Sequence, residues 1–418
     1  MLAFHYPPCV GGSGIHRTLK FSRYLPEFDW QPIVLTANSR AYENIGNDQM
    51  REIPRDVIVE RAFALNTAKH LSMGGRYLRL LAIPDQWVSW WAGAILSGLR
   101  LVRKHRPEII WSTYPIATAH LIGLTLNRLT GIPWVADFRD SMTEDHYPRD
   151  PLTRRSYLWI ERRAIKSASR LIFTATSAKQ MYLDRYPHLP AERCVVIANG
   201  YDEEDFTGIE ALPLAGNSTG HAARLLHAGL IYTEERDPRP FFRALSRLKR
   251  DGVINAKSAV IDLRASGFED YYAGILKELK IDDIVRLLPA LPYRKALEDC
   301  ARADALLLFQ AASCNHQIPA KAYEYLRLAK PILALTSIVG DTAKLLEEVG
   351  GATIVDLAQE EEIYRAIPRF LISLRGSTHA LPDARRASRY SRKYQAYQLS
   401  ECLSEVLSQG ASGFCVKV

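Results

Sequence analysis

Cysteine is sparse in the 418-residue chain, with six residues and no C-x-x-C pair. Cys9, Cys194, Cys300, Cys314, Cys402 and Cys415 are scattered along its length. A disulfide framework or a structural zinc site needs thiols at short, repeated spacing, so both are excluded and a reducing compartment is implied. No apolar run is long enough to cross a bilayer and no leader pattern is seen, so we expect a cytoplasmic protein. D-x-D, H-E-x-x-H and G-x-x-x-x-G-K-[ST] are missing as well. Without them, metal-dependent nucleotide-sugar binding of the single-domain type, zinc-protease chemistry and P-loop chemistry are disfavoured. No basic stripe interleaved with aromatics occurs, so nucleic acid is not an expected partner.

What is present is a globular composition, 47% hydrophobic and 24% charged, with a net charge of +8. The positive excess suits anionic ligands, a membrane surface or simply a solvated basic face. The length predicts two domains.

Short β-rich runs alternate with helical patterns almost throughout. The first series is 2–6, PIVLTA (32–37), VIVERA (57–62), EIIWST (108–113), PWVADF (133–138), RLIFTA (170–175) and CVVIAN (194–199). The second is ARLLHAG (223–229), AVIDLRA (259–265), IVRLLP (284–289), DALLLFQ (304–310), PILALT (331–336) and ATIV (352–355). Such alternation predicts α/β architecture, with parallel sheets covered by helices on both faces. The Gly-rich, acidic stretch 199–223 reads as a linker between two similar domains. We therefore expect domains at 1–200 and 201–385, with a terminal helical segment (386–418) crossing back to the first.

Ligands of open parallel sheets bind at the carboxyl ends of strands, so the loops after strands carry the information. Two such domains facing each other would form a cleft lined by those loops. HYPPCVGGSGIHR (5–17) runs from a strand through a glycine-rich turn into a helix near Ile15; Arg17 stands where a dinucleotide motif needs glycine. Glycines there admit close backbone approach, and the helix start favours an anion. PWVADFRDSM (133–142) places Asp137, Arg139 and Asp140 at or past a strand end. LLHAGLIYTEERDPRPFFRAL (225–245) puts Gly229 at a strand end, Arg236 in the loop and Pro238 at a helix start.

IPAKAYEYLRLAKPILAL (318–335) is the most informative stretch. Pro319 suits a first helical position, and Ala322, Tyr325, Leu326 and Ala329 make the buried stripe. Lys321 falls in the first turn, against the helix dipole, unless an anion lies between it and the helix start. Glu324, one turn on, can accept hydrogen bonds from two adjacent hydroxyls such as a ribose presents. A surface Lys–Glu pair is the simpler alternative. Finally, IPDQWVSWWAGAILSGLRLVRKHRP (83–107) has three tryptophans and a basic end, suiting either core packing or a membrane face.

YPPCVGGSGIHRTLKFSRYLPEFDWQPIVLTA, ADFRDSM, ANGYDEEDF, GLIYTEERDP and IPAKAYEYLRLAKPIL occur in this order. In that order they resemble bacterial family 4 glycosyltransferases of the exopolysaccharide and lipopolysaccharide branch, over roughly residues 5–350. The resemblance implies a GT-B fold, with two Rossmann-like doubly wound domains facing across a cleft. It also implies a retaining, metal-independent sugar transfer from a nucleotide-diphosphate sugar to a glycan or lipid-linked acceptor, at the inner face of the cytoplasmic membrane, with no other cofactor.

On the resemblance, Glu324 holds the ribose, while Gly229, Arg236, His316 and Lys321 complete the nucleotide-sugar site. Gly11, Gly12 and Arg17 belong to the acceptor and diphosphate loop, and Arg139, Asp137 and Asp140 to the reacting centre. Three positions depart from the family. His316 replaces a common glutamate, Leu230 a basic residue, and Arg139 a histidine. Two other readings remain, an inert GT-B protein binding a sugar nucleotide or partner, and a nucleotide-sugar 2-epimerase.

Overall fold

The computed structural model describes residues 1–10, 14–145, 147–209, 222–233 and 236–413. The chain divides into two compact units, one formed by Met1–Ala198 with Arg392–Val418 and the other by Asn199–Ser391. Cys415 and most of the expected linker (210–221) lie outside the described residues.

In the first unit the strands are β1 (Ile33–Ala37), β2 (Ile58–Ala62), β3 (Ile110–Thr113), β4 (Trp134–Phe138), β5 (Arg170–Phe173) and β6 (Cys194–Val196). All their pairings are parallel. The expected strand at 2–6 contracts to bridges from Leu2 to Leu35 and Ser112. Leu2 N–H donates to Trp111 O at 2.7 Å and Leu35 N–H to Met1 O at 2.8 Å. The opening residues thus join β2-β1 to β3-β4-β5-β6. The chain starts mid-sheet, winds out to β2, then returns to β3 on the other side. The order reverses beside Leu2, and such a reversal is where doubly wound folds bind ligands.

β3 and β4 are buried throughout, the pattern of parallel strands covered on both faces. The helix Arg392–Gly413 packs onto this unit. Its Ala396, Leu399, Cys402, Leu403 and Val406 share a core with Ala3, Phe21, Trp111, Val135 and Ile172. The tryptophan stretch turns largely inward. Trp90 is fully buried, and the half-buried Trp87 donates its indole N–H to Ala41 O at 3.0 Å. Only Trp91 stays substantially exposed.

The second unit repeats the plan with β7 (Ala223–Ala228), β8 (Ala259–Arg264), β9 (Val285–Leu288), β10 (Ala305–Gln310), β11 (Ile332–Thr336) and β12 (Ala352–Val355). Their order is β12-β11-β10-β7-β8-β9, again reversing beside the first strand. β10 and β11 are wholly buried and pair in register from Leu306–Ile332 to Gln310–Thr336. Phe241, Phe242, Leu245 and Leu248 of the helix Arg239–Arg250 close one face. Both units are therefore Rossmann-like α/β layers.

Candidate active site

At the reversal in the second unit, β7 ends at Ala228 and the chain turns at Gly229, whose φ is +131°. Gly229 N–H donates to Arg264 O at 2.7 Å, so the turn is tied to β8. The helix Ala320–Leu328 faces it. Pro319 is the residue before the first helical one, with φ −60° and ψ 137°, rather than the first helical residue expected. Ala322, Tyr325 and Leu326 are buried as the stripe predicts, joined by Tyr323 and Leu328. Ala329 differs: it takes a left-handed conformation (φ 51°) that ends the helix. Tyr325 hydroxyl accepts from Ala228 N–H at 3.2 Å, fixing the helix to the strand end.

This anchoring brings Lys321 onto Gly229. A Cβ at residue 229 would fall 2.2 Å from both Cε and Nζ of Lys321. No side chain caps the helix start, so a cation sits beside the positive end of a dipole. That arrangement is favourable when an anion shares the place. His227 lies beneath, 1% exposed, with Nδ1 2.8 Å from Leu307 O. Burial, and then the charge of Lys321, push its pKa down to about 3, so this histidine is neutral near pH 7.

One turn along, Glu324 Oε1 accepts from Tyr293 hydroxyl at 2.8 Å. Tyr293 opens the helix Tyr293–Arg302, which follows β9. Sequence reading missed this residue, because nothing local shows a phenol reaching a carboxylate 31 positions away; its place at a helix start after a strand was the one available sign. Arg236 folds back onto its own loop, donating from NH1 to Leu230 O at 2.7 Å and lying 5.4 Å from the Tyr232 ring centroid. Leu230 itself is 47% exposed. His316 is half-buried, 3.5 Å from Gln317 Nε2. Its loop is pinned from below by Gln310, whose Nε2 donates to Cys314 O at 2.6 Å and Gln317 O at 2.7 Å.

In the first unit, Arg17 and Asp137 form a fully buried pair. Arg17 Nε donates to Asp137 Oδ2 at 2.8 Å and NH2 to Oδ1 at 3.0 Å. The guanidinium also reaches Ile197 O and Ala198 O, both at 3.0 Å, and Thr113 hydroxyl donates to Asp137 Oδ2 at 3.0 Å. Arg17, expected in the diphosphate loop, and Asp137, expected at the reacting centre, are both wholly enclosed by these partners. Together they brace the first helix against three strand ends.

Arg139 is different. It is 9% exposed, pairs weakly with the exposed carboxylate of Asp140 at 3.4 Å, and lies over Gly14, the first residue of the helix Gly14–Tyr24. A Cβ at Gly14 would come within 2.4 Å of Arg139 NH1. Thr174 hydroxyl donates to Arg139 O at 2.9 Å and holds the loop. His5, at the end of the opening segment, is neutral near pH 7. Burial first, and the Arg139 charge second, bring its pKa down to about 4. Gly11 and Gly12 lie outside the described residues. Among the described residues no group of three His, Cys, Asp or Glu side chains is placed to hold a metal ion.

Residues 14–200 match the profile of the Glycosyl transferase 4-like domain. That stretch, a little under half of the chain, is similar to a glycosyl transferase 4-like domain. The resemblance read from the motifs holds. A glycosyltransferase from Rickettsia africae superposes with a TM-score of 0.67 at 12% identity, covering 97% of this chain and 98% of that one. Anabaena HepE, solved with UDP-glucose, gives 0.61 at 14% identity over 97% and 100%. WaaG, a glycosyltransferase involved in lipopolysaccharide biosynthesis, gives 0.57 at 13% over 97% and 98%. These likenesses establish the GT-B fold for the glycosyltransferase-like chain. No curated protein matches the sequence. Domain and fold together support sugar transfer in general terms.

Proposed function

We propose that the protein is a retaining, metal-independent glycosyltransferase that moves a sugar from a nucleotide-diphosphate donor to a glycan or lipid-linked acceptor in surface polysaccharide biosynthesis. The observation that carries the reading is the fit of Lys321 to Gly229 at the strand reversal, with Glu324 one turn on. Lys321 and the helix start hold the diphosphate, and Glu324, oriented by Tyr293, holds the ribose hydroxyls. His316 and Arg236 flank the same strand ends and complete the donor site. HepE was solved with UDP-glucose, which supports a donor of this class.

Loss of the nucleoside diphosphate develops charge on its oxygens, so stabilising that charge lowers the barrier most. Lys321 and the helix start supply the stabilisation. In a front-face retaining reaction the leaving phosphate can itself take the acceptor proton. Such chemistry needs no side-chain base, and none is assigned to Arg139. Its role is to orient oxygens of the acceptor or donor with paired hydrogen bonds, assisted by Asp140. The enzyme works at the inner face of the cytoplasmic membrane, and no described helix is long and apolar enough to cross that membrane.

Thermal-shift screening of the purified protein against uridine, guanosine, adenosine and thymidine diphosphates tests the donor site. A clear stabilisation by one of them, lost in Glu324→Ala, is the expected result. An inert sugar-nucleotide-binding protein would show the same shift without transferring sugar to any acceptor fraction. A 2-epimerase would interconvert the free nucleotide sugar with no acceptor present.

A further inference from the structure

The basic, tryptophan-rich stretch that suggested a membrane face is mostly turned inward, yet the segment just before it is turned outward. Leu71, Met73, Tyr77, Leu78, Leu80 and Leu81 are each at least 40% exposed, with Met73 at 88%, Leu80 at 76% and Leu78 at 74%. Isolated exposed leucines are ordinary; six large apolar side chains within eleven residues are not.

The segment is built rather than frayed. Met73 and Arg76 exchange both backbone hydrogen bonds, at 2.8 and 3.1 Å, across Gly74-Gly75. Both glycines have positive φ (58° and 75°), the geometry of a tight two-residue hairpin turn. Thr67 hydroxyl holds Leu81 O at 2.6 Å, Thr67 N–H holds Gln86 O at 2.8 Å, and Arg79 pairs with Asp150. The tip is therefore presented to solvent by fixed anchors at its base.

Charge decides what covers it. Between Glu60 and Asp85 the sequence has no acidic residue, but it has Arg61, Lys69, Arg76 and Arg79. Lys69 and Arg76 are exposed and have no ion-pair partner among the described residues. A second copy of the chain would bring this patch against itself across a two-fold axis, cation facing cation. An anionic bilayer meets both demands at once. Leucine and methionine side chains enter the acyl boundary, while arginine and lysine stems lie along it with their heads among the phosphates. Tyrosine belongs at the same interface.

We infer that the Leu71–Leu81 tip of the first unit is a docking surface for an anionic phospholipid bilayer. It deepens the membrane contact in the proposed function by naming the surface and the lipid class. Nucleotide binding, read separately, decides the donor-site reading, so the two can fail independently.

The test is co-sedimentation of the full-length protein with phosphatidylcholine vesicles, with and without phosphatidylglycerol. The wild type should sediment with the anionic vesicles and be released by salt. Leu78→Ser with Leu80→Ser should lower the partition coefficient about tenfold or more, as expected when two leucines leave the interface. Its melting temperature and nucleotide-induced shift should be unchanged, because both side chains are exposed. Arg76→Glu should weaken binding to anionic vesicles only. Equal partitioning of wild type and double variant, or no vesicle binding by the wild type, would overturn the inference. A dimer that the double variant dissolves would assign the tip to self-association instead.

Discussion

Lys321 occupies the space that any side chain at residue 229 would need: a Cβ there falls 2.2 Å from its Cε and Nζ. The loop glycine and the helix lysine are thus one structural device. Gly229→Ala should displace the ammonium and also strain a backbone held at φ +131°. We expect weakened nucleoside-diphosphate affinity together with a stability loss of about 1 kcal/mol or more. Calorimetry and thermal melts of the variant measure both. Unchanged affinity would mean that the diphosphate lies elsewhere.

Glu324 and Tyr293 allow a graded experiment. Glu324→Ala should cost about 1–3 kcal/mol of nucleotide binding, as for hydrogen bonds to a charged group. Tyr293→Phe removes one neutral donor that only orients the carboxylate, so its cost should be smaller, about 0.5–1.5 kcal/mol. If Tyr293→Phe proved as damaging as Glu324→Ala, the phenol would have to contact the nucleotide itself.

The two arginines of the first unit should separate cleanly. Asp137→Asn leaves Arg17 buried beside a neutral amide, which should destabilise the unit by about 3–5 kcal/mol. Arg139→Lys keeps charge but loses the planar fork, so transfer should fall sharply while melting temperature and nucleotide affinity hold. A lowered melting temperature with normal turnover would make Arg139–Asp140 a structural pair.

Metal independence is expected because D-x-D is missing from the sequence. Transfer should persist in EDTA. Abolition by chelation, with rescue by magnesium or manganese, would reverse this reading.

Two buried histidines and the half-buried His5 give the protein an acid limb. Burial is the largest cause in each, lowering His5 to about 4 and His120 and His227 to about 3, from an ordinary 6.5. Below pH 6.5 the unfolded chain takes up protons that the folded chain refuses, so stability must fall as pH falls towards 4. The stretch from about pH 6.5 to 5 is diagnostic, since carboxylates titrate lower, near pH 4. Melting temperatures that stay flat through that interval would contradict the burial of these rings.

Strand positions were legible from the sequence because a parallel strand covered on both faces is a continuous apolar run, a property of adjacent residues. PWVADF became β4 and DALLLFQ became β10 with ends moved by one residue. Lys321 announced itself for a similar reason: helix starts are locally encoded, and a cation in the first turn conflicts with the dipole. Two doubly wound layers and the helix that carries Lys321 were therefore determined by the chain itself. Only the tertiary structure decided the pairings. Arg17 and Asp137, 120 residues apart, drew equal attention to Arg139, yet folding buries the first two against each other and leaves the third over a helix start. In the same way the tryptophans of 83–107 turn largely inward, while the leucines of 71–81 face outward. Periodicity fixes which residues share a face of one element. Which face meets the core, and which charge meets its opposite, depends on how distant loops close, and that is settled only by packing.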